Sequence, residues 1–204
     1  QVSDFTLNPG SINPQSISQQ SSDVARITFA NTIASGQNTL SISAIEDAAN
    51  QTTLADTSFS FFVYDDYQSG DVVINEFLKD PPTGTAEYIE LRNTSSRYLN
   101  LQNWQLGDNN SLSTLSFSDL TLLPDSFLVV SSDTSVLNTF YGEANYLQVS
   151  LPAFNNGEDQ IRVFDDNSTL IDSLQYNSDW GGEDVAVERR DPTVSSTFLE
   201  NWGD

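Results

Sequence analysis

The stretch DVVINEFLKDPPTGTAEYIELRNTSSRYLNLQNWQLGD, residues 71–108, indicates three β-strands separated by turns. Residues 72–78 are mostly β-branched, aromatic or aliphatic, which is typical of a β-strand, with the polar pair Asn75-Glu76 set among them. Two prolines and a glycine within residues 81–84 cannot continue a strand and predict a connection. Residues 88–92 alternate polar and apolar side chains, as a half-buried strand does. Bulky apolar side chains at residues 99–106 supply the third strand.

Further short motifs follow in the same order along the chain. They are Leu123-Pro124 before the apolar residues 127–130, then LPAFNNGED at residues 151–159, IDSLQY at 171–176, VERRDP at 187–192 and NWG at 201–203. Together with VINEF, EYIEL and the Leu99–Trp104 segment, this order resembles the lamin tail domain, an immunoglobulin-like β-sandwich of nuclear lamins and many bacterial secreted proteins. The resemblance implies a complete lamin-tail-like domain over residues 72–204, with Trp104 in its core and Trp202 at its end.

Local signals add two details to this second module. Ser132 to Tyr141 has helical spacing of its apolar residues, and Asp133 is placed to cap the helix. Residues 165–168, Asp-Asp-Asn-Ser, predict a hairpin turn, because Asp and Asn tolerate left-handed conformations.

Residues 1–66 predict a separate β-rich module. Strand patterns recur at residues 24–29, 40–44 and 59–64. The segment TLSISAIEDAAN, residues 39–50, resembles the hallmark of bacterial surface-layer-type immunoglobulin-like domains, with Ala49 in place of the expected glycine. Too few strands fit for a whole sandwich, so we expect this module to be incomplete and residues 67–71 to be a linker. The predicted fold is all-β, with two immunoglobulin-like sandwich modules in tandem.

Composition narrows the classes of function. There are 29 acidic and 7 basic residues, a net charge of -22, which disfavours binding to a phosphate backbone. Histidine and cysteine are absent, which excludes the usual zinc sites, the Ser-His-Asp triad and cysteine nucleophiles. No run of residues is long and apolar enough to predict membrane insertion. Methionine is absent as well, and we expect the chain to be an internal piece of a longer protein whose other domains adjoin it.

Calcium is the cofactor that the acidic residues suggest. Asp65, Asp66 and Asp71 surround the expected linker, and carboxylates at the junctions of tandem extracellular modules are suitable calcium ligands. Further acidic turns occur elsewhere, and none has the spacing of an EF-hand loop. The alternative interpretation is that these residues form a solvated surface.

Two other groups of residues are candidate sites, and each also has a structural interpretation. A carboxylate pair for acid–base chemistry could come from Glu76, Glu87 and Glu90. However, polar side chains within strands usually form structural pairs, and Arg92 is the expected partner. Trp180 lies beside Gly181-Gly182 in a predicted loop and is the candidate for binding a sugar ring.

These observations predict a protein that is not an enzyme. The main hypothesis is a non-catalytic spacer or adhesion module of a large secreted or cell-surface bacterial protein, in contact with a surface protein or a glycan. The alternative is a carbohydrate-binding module attached to an extracellular hydrolase. Exposed aromatic side chains around Trp180 would favour the second hypothesis.

Overall fold

The computed structural model describes residues 1–43, 45 and 55–203. The chain divides into two compact units, Gln1–Tyr64 and Asp65–Asp204. Apart from one α-helix and two short 3-10 turns, the regular structure of the described residues is β-strand. The predicted all-β class is therefore confirmed, and each unit has its own sheets.

The first unit contains five described strands in two antiparallel sheets. The three-stranded sheet has the order β1-β4-β5, and the other sheet is the pair β2-β3. The strands are β1 (Phe5–Asn8), β2 (Ser16–Gln19), β3 (Ala25–Thr28), β4 (Gly36–Ile42) and β5 (Thr57–Val63). The surface-layer-type motif at residues 39–50 extends into residues that lie outside the described part of the chain, so the predicted incomplete domain stays a prediction.

The three-stranded sheet has one apolar and one polar face. Leu7, Leu40 and Phe59 occupy directly opposed positions on its three strands and therefore share a face. The neighbouring positions Thr6, Ser41 and Ser58 form the polar face. Side chains on the apolar face become more exposed from β1 to β5: Leu7 on β1 is 2% exposed and Phe59 on β5 is 58% exposed. The β5 side of this face is thus open to solvent.

The described part of the second unit, residues 65–203, contains twelve strands and the helix. A six-stranded sheet has the order β13-β12-β7-β6-β16-β17, a four-stranded sheet the order β10-β9-β14-β15, and β11 pairs with β8. The elements are β6 (Val72–Leu78), β7 (Tyr88–Asn93), β8 (Leu99–Asn100), β9 (Gln105–Gly107), β10 (Leu112–Thr114), β11 (Thr121–Leu122), β12 (Phe127–Ser131), α1 (Thr134–Tyr141), β13 (Tyr146–Gln148), β14 (Asp159–Phe164), β15 (Leu170–Tyr176), β16 (Val187–Arg189) and β17 (Trp202–Gly203).

The core of the second unit draws on both larger sheets. Residues 71–108 supply β6 to β9, and β6 is buried on both faces. The largest fully buried side chains of the shared cluster include Tyr176, Phe77, Ile74, Leu91 and Leu106. Trp104 is buried, which confirms the core position implied for it, and Trp202 at the end of the domain is buried as well.

A bulge in β6 places the polar pair of VINEF. The pairing of β6 with β7 shifts between Ile74 and Glu76, so Asn75 is the extra residue of the strand. Asn75 is buried and donates a hydrogen bond to Glu90 at 2.8 Å. The bulge explains how two consecutive polar residues fit an otherwise apolar strand.

The predicted helix is confirmed, with the Asp133 carboxylate accepting a hydrogen bond from the Val136 N–H at 3.2 Å. The predicted hairpin turn connects the antiparallel strands β14 and β15. The Asp165 carboxylate binds the backbone of Asn167 and Thr169, and the left-handed residue is Ser168 with φ of 63°. Ser168 takes this conformation because the Asp165 carboxylate holds the loop on both sides of it.

Residues 67–71, expected as a linker, belong instead to the second unit. The Tyr67 ring lies edge-on to the Trp104 ring, with 5.2 Å between the centroids. Asp71 is buried and forms an ion pair with Arg97. The boundary between the compact units falls between Tyr64 and Asp65, two residues before the end predicted for the first module.

Candidate functional site

The three aspartates predicted to bind calcium, Asp65, Asp66 and Asp71, have separate surroundings. Both carboxylate oxygens of Asp71 lie 3.0 Å from the Arg97 guanidinium, and one also accepts the Gln68 N–H. The Asp65 carboxylate accepts the Tyr98 N–H at 2.9 Å, and Asp66 is exposed. Within residues 1–43, 45 and 55–203, no group of three acidic side chains is arranged to hold a metal ion. Calcium binding at these residues stays a prediction.

The glutamates considered for acid–base chemistry are only partly brought together. Glu90 and Glu76 lie directly opposite each other on β7 and β6, and Glu188 lies opposite Glu76 on β16. Burial, together with the charges of Glu76 and Glu188, raises the pKa of Glu90. Glu76 accepts a hydrogen bond from the Tyr88 hydroxyl. Glu76, Glu90 and Glu188 therefore form a row of like charges on one face of the six-stranded sheet.

Glu87 and Arg92 have roles away from this row. The Glu87 carboxylate accepts the Phe154 N–H at 3.2 Å, and burial raises the pKa of Glu87. The expectation that Arg92 pairs with the strand glutamates is wrong, because its guanidinium binds the Asp125 carboxylate at 2.8 Å. Asp125 reaches Arg92 from the turn before β12, a contact that depends on the pairing of β12 with β7.

Trp180 lines a pocket of about 450 Å³ in the second unit. The side chain is half-buried, and its ring packs against Phe77 at 6.4 Å and Trp202 at 6.0 Å between centroids. These two rings support the indole from within the unit and leave part of it at the pocket. Other residues that line the pocket include Glu158, Gln160, Gln175, Asn177 and Leu199.

The loop that carries Trp180 requires a glycine next to it. Gly181 has φ of 60°, and a Cβ there would lie 2.8 Å from the Val185 carbonyl oxygen and 2.9 Å from Val187 Cγ2. The Trp180 N–H also closes a turn onto the Asn177 carbonyl at 3.2 Å. Backbone geometry therefore fixes where the indole lies.

A buried lysine holds two segments that border the pocket. Lys79 at the end of β6 is 3% exposed, and its ammonium donates to the carbonyls of Asn156 and Asn177 at 2.6 and 3.2 Å. The ammonium also lies 5.3 Å from the centroid of the Tyr176 ring. These contacts hold the backbone at Asn156 and Asn177, and thereby place the side chains of Glu158 and Asn177 at the pocket.

The pocket carries polar side chains that sequence reasoning missed. Gln160 on β14 and Gln175 on β15 are directly opposed in the strand register, so their side chains lie beside each other on one face. The only signal for these two residues in the sequence is that each is a polar residue in a strand whose polar and apolar side chains alternate. Register and the position of the Trp180 loop were needed to place them at one site.

Comparisons with known proteins bear on the second unit. The family model for the Lamin Tail Domain matches residues 65–178, more than half of the chain. The match begins at the first residue of the second unit and ends shortly after β15. No curated protein was found to match the chain. None of the described helices is both long and apolar enough to cross a membrane.

Proposed function

Because the chain belongs to the lamin tail domain family, whose fold is immunoglobulin-like, we propose that it is a non-catalytic interaction module of a secreted or cell-surface bacterial protein. Its first unit contacts a second copy of the same chain, and the module serves as a spacer or adhesion element. The observation that carries this proposal is the open apolar face beside β5.

The exposed side of the sheet has the chemistry of a protein contact. Phe59 and Phe61 are 58% and 37% exposed, and they share the apolar face of β5. In the described part of the first unit, β5 pairs with one strand, β4, so its other edge presents backbone groups for pairing. Exposed aromatic side chains beside a free strand edge favour addition of a further strand.

The sequence of β5 favours a second copy as that further strand. In an antiparallel pair centred on Ser60, Phe59 lies opposite the partner's Phe61 on the apolar face, and the partner's Phe59 lies opposite Phe61. Such cross-strand aromatic pairs stabilise sheets by about 0.2–1 kcal/mol each. A two-fold contact of this kind is self-complementary and closed.

Charge does not oppose this contact at the strand. Residues 57–63 contain no charged side chain. The first unit has five of the 29 acidic residues and one of the seven basic residues, so most of the net charge of -22 lies in the second unit. Repulsion between copies is therefore weakest at the first unit.

Sedimentation equilibrium of the full chain over a range of concentrations tests this proposal. One strand pair is small beside the roughly 1,000 Å² that specific interfaces usually clear, so we expect a weak dimer whose population rises with concentration. Phe59→Lys should leave a monomer, because a lysine on an edge strand opposes pairing.

Ser18→Lys is the matched control, since Ser18 is an exposed residue on β2 and the change adds the same charge. This variant should dimerise as the unmodified chain does. A monomer at every concentration, or equal loss of dimer in both variants, would refute the strand contact.

A second candidate function is a carbohydrate-binding module attached to an extracellular hydrolase. The pocket beside Trp180 favours it, because an aromatic ring and polar side chains line the same cavity. Electrophoresis of the chain in gels that contain a polysaccharide tests it.

A further inference from the structure

We infer that the Trp180 pocket binds neutral carbohydrate, an inference that rests on the second candidate function. The cavity of about 450 Å³ is within the size range of small-molecule sites. The pocket lies in the second unit and shares no residue with the β5 contact.

The Trp180 indole supplies the apolar surface that a sugar ring needs. The faces of a pyranose ring expose C–H groups, which pack on an aromatic ring, while its hydroxyls point outwards. Phe77 and Trp202 hold the indole from inside the unit, so little side-chain freedom is lost when a ligand packs on it. The ring is therefore preorganised for a flat ligand.

The surrounding side chains match the hydroxyl groups of a sugar. Gln160 and Gln175 each have an amide that donates and accepts hydrogen bonds, and among the described residues neither amide has a protein partner. The exposed Glu158 carboxylate, which is in no ion pair with a described residue, adds two acceptor oxygens. Paired donors and acceptors beside an aromatic ring are suited to adjacent hydroxyls.

Charge decides between neutral and acidic sugars. Among the described residues, no lysine or arginine lines the pocket, and Glu158 contributes a negative charge to it. The second unit has 24 of the 29 acidic residues and six of the seven basic ones, so its field repels uronic acids and sulfated sugars. A neutral polysaccharide has no such cost.

Affinity electrophoresis of the full chain under native conditions tests the inference. The gels contain β-glucan, xylan or galactomannan as neutral polymers, and polygalacturonate as the acidic one. We expect retardation by at least one neutral polymer and none by polygalacturonate. Trp180→Ala should weaken binding about tenfold or more, as truncation of a central aromatic contact does.

The double variant Gln160→Ala/Gln175→Ala tests the site without removing a packed ring, and it should also weaken binding about tenfold. Phe117→Ala is the control, because Phe117 is 82% exposed in the same unit but does not line the pocket, and retardation should be unchanged. Phe59→Lys should keep full retardation, which separates this inference from the β5 contact.

Four results would overturn the inference: no retardation in any neutral gel, equal retardation by polygalacturonate, equal loss in Phe117→Ala, or loss in Phe59→Lys. Sedimentation equilibrium of the same samples reports the β5 contact separately, so failure of one proposal does not imply failure of the other.

Discussion

Glu90 is a half-buried carboxylate in a row of like charges. It lies opposite Glu76 across the β6–β7 pair, and Asn75 donates to it at 2.8 Å. Burial raises the pKa of Glu90 above its ordinary value of 4.5. The protonated form is thus favoured in the folded state. The resulting stabilisation is complete below the unfolded-state pKa and is lost as the pH rises through the folded-state pKa.

Replacement by a neutral side chain should remove this pH dependence. Glu90→Gln keeps an acceptor for Asn75 and removes one charge opposite Glu76. At pH 7.5 we expect the Tm of the second unit to rise by about 2 °C, from a like-charge repulsion of about 0.5 kcal/mol. At pH 4 the difference should be close to zero, because Glu90 is then mostly protonated. Tryptophan fluorescence during heating measures both values.

Glu143→Gln is the control for the overall negative charge. Glu143 is exposed, and the variant makes the same change in net charge. Its effect on the Tm should be smaller at pH 7.5. A gain in Glu90→Gln that persists unchanged at pH 4 would contradict the role of ionisation.

Asp172 joins several elements of the second unit through one carboxylate. It accepts hydrogen bonds from the Ile74 N–H of β6 at 2.9 Å, from Arg189 of β16 at 2.8 Å and from the Ser196 hydroxyl. The Arg189 side chain is 3% exposed and also donates to the carbonyls of Ile74 and Val194. This network links the four-stranded sheet to the six-stranded sheet.

Loss of the carboxylate should destabilise the unit strongly. Asp172→Ala leaves the Arg189 charge buried without its counter-charge, and we expect a loss of about 3–5 kcal/mol in the free energy of unfolding. Urea denaturation followed by tryptophan fluorescence measures the loss. The double variant Asp172→Ala/Arg189→Met should lose less than the single variant, because no buried charge remains unpaired.

Asp125→Ala is the matched control, because it also removes a carboxylate that pairs with an arginine. Its carboxylate pairs with Arg92 at 2.8 Å but is 76% exposed, so the change should cost about 0–1 kcal/mol. Equal losses for Asp172→Ala and Asp125→Ala would contradict the view that burial gives the Asp172 network its effect.

The two units differ in how much apolar surface they bury. Among the described residues of the first unit, Phe5 and Leu7 are the buried hydrophobic side chains, whereas the second unit has a continuous cluster across both larger sheets. The free energy of folding depends mainly on such burial. We therefore expect the first unit to unfold at a lower temperature than the second.

Two optical probes can separate these transitions. All three tryptophans, Trp104, Trp180 and Trp202, lie in the second unit, so tryptophan fluorescence should follow that unit alone. Far-ultraviolet circular dichroism should show an additional transition at lower temperature. Coincident single transitions by both probes would show that the chain unfolds as one cooperative unit.

Particular residues show how far sequence reasoning reached. The apolar run of β6, the alternation in β7 and the Asp133 cap were sufficient to predict those elements, because each depends on neighbouring residues in the chain. The glutamate partner predicted for Arg92 is wrong, since its actual partner, Asp125, lies 33 residues away and reaches it through the β12–β7 pairing. The segment 67–71 resembles a linker in composition but packs on the second unit through Tyr67 and Asp71.

The sequence by itself determined the all-β class, the family of the second unit and the burial of Trp104, because hydrophobic periodicity and the order of motifs are properties of the chain alone. Only the tertiary structure decided which polar groups meet. Gln160 and Gln175 become neighbours through strand register, and the Trp180 loop brings an aromatic ring to them. Such contacts join residues that are distant in the sequence, and the local sequence pattern does not encode which of these residues pair.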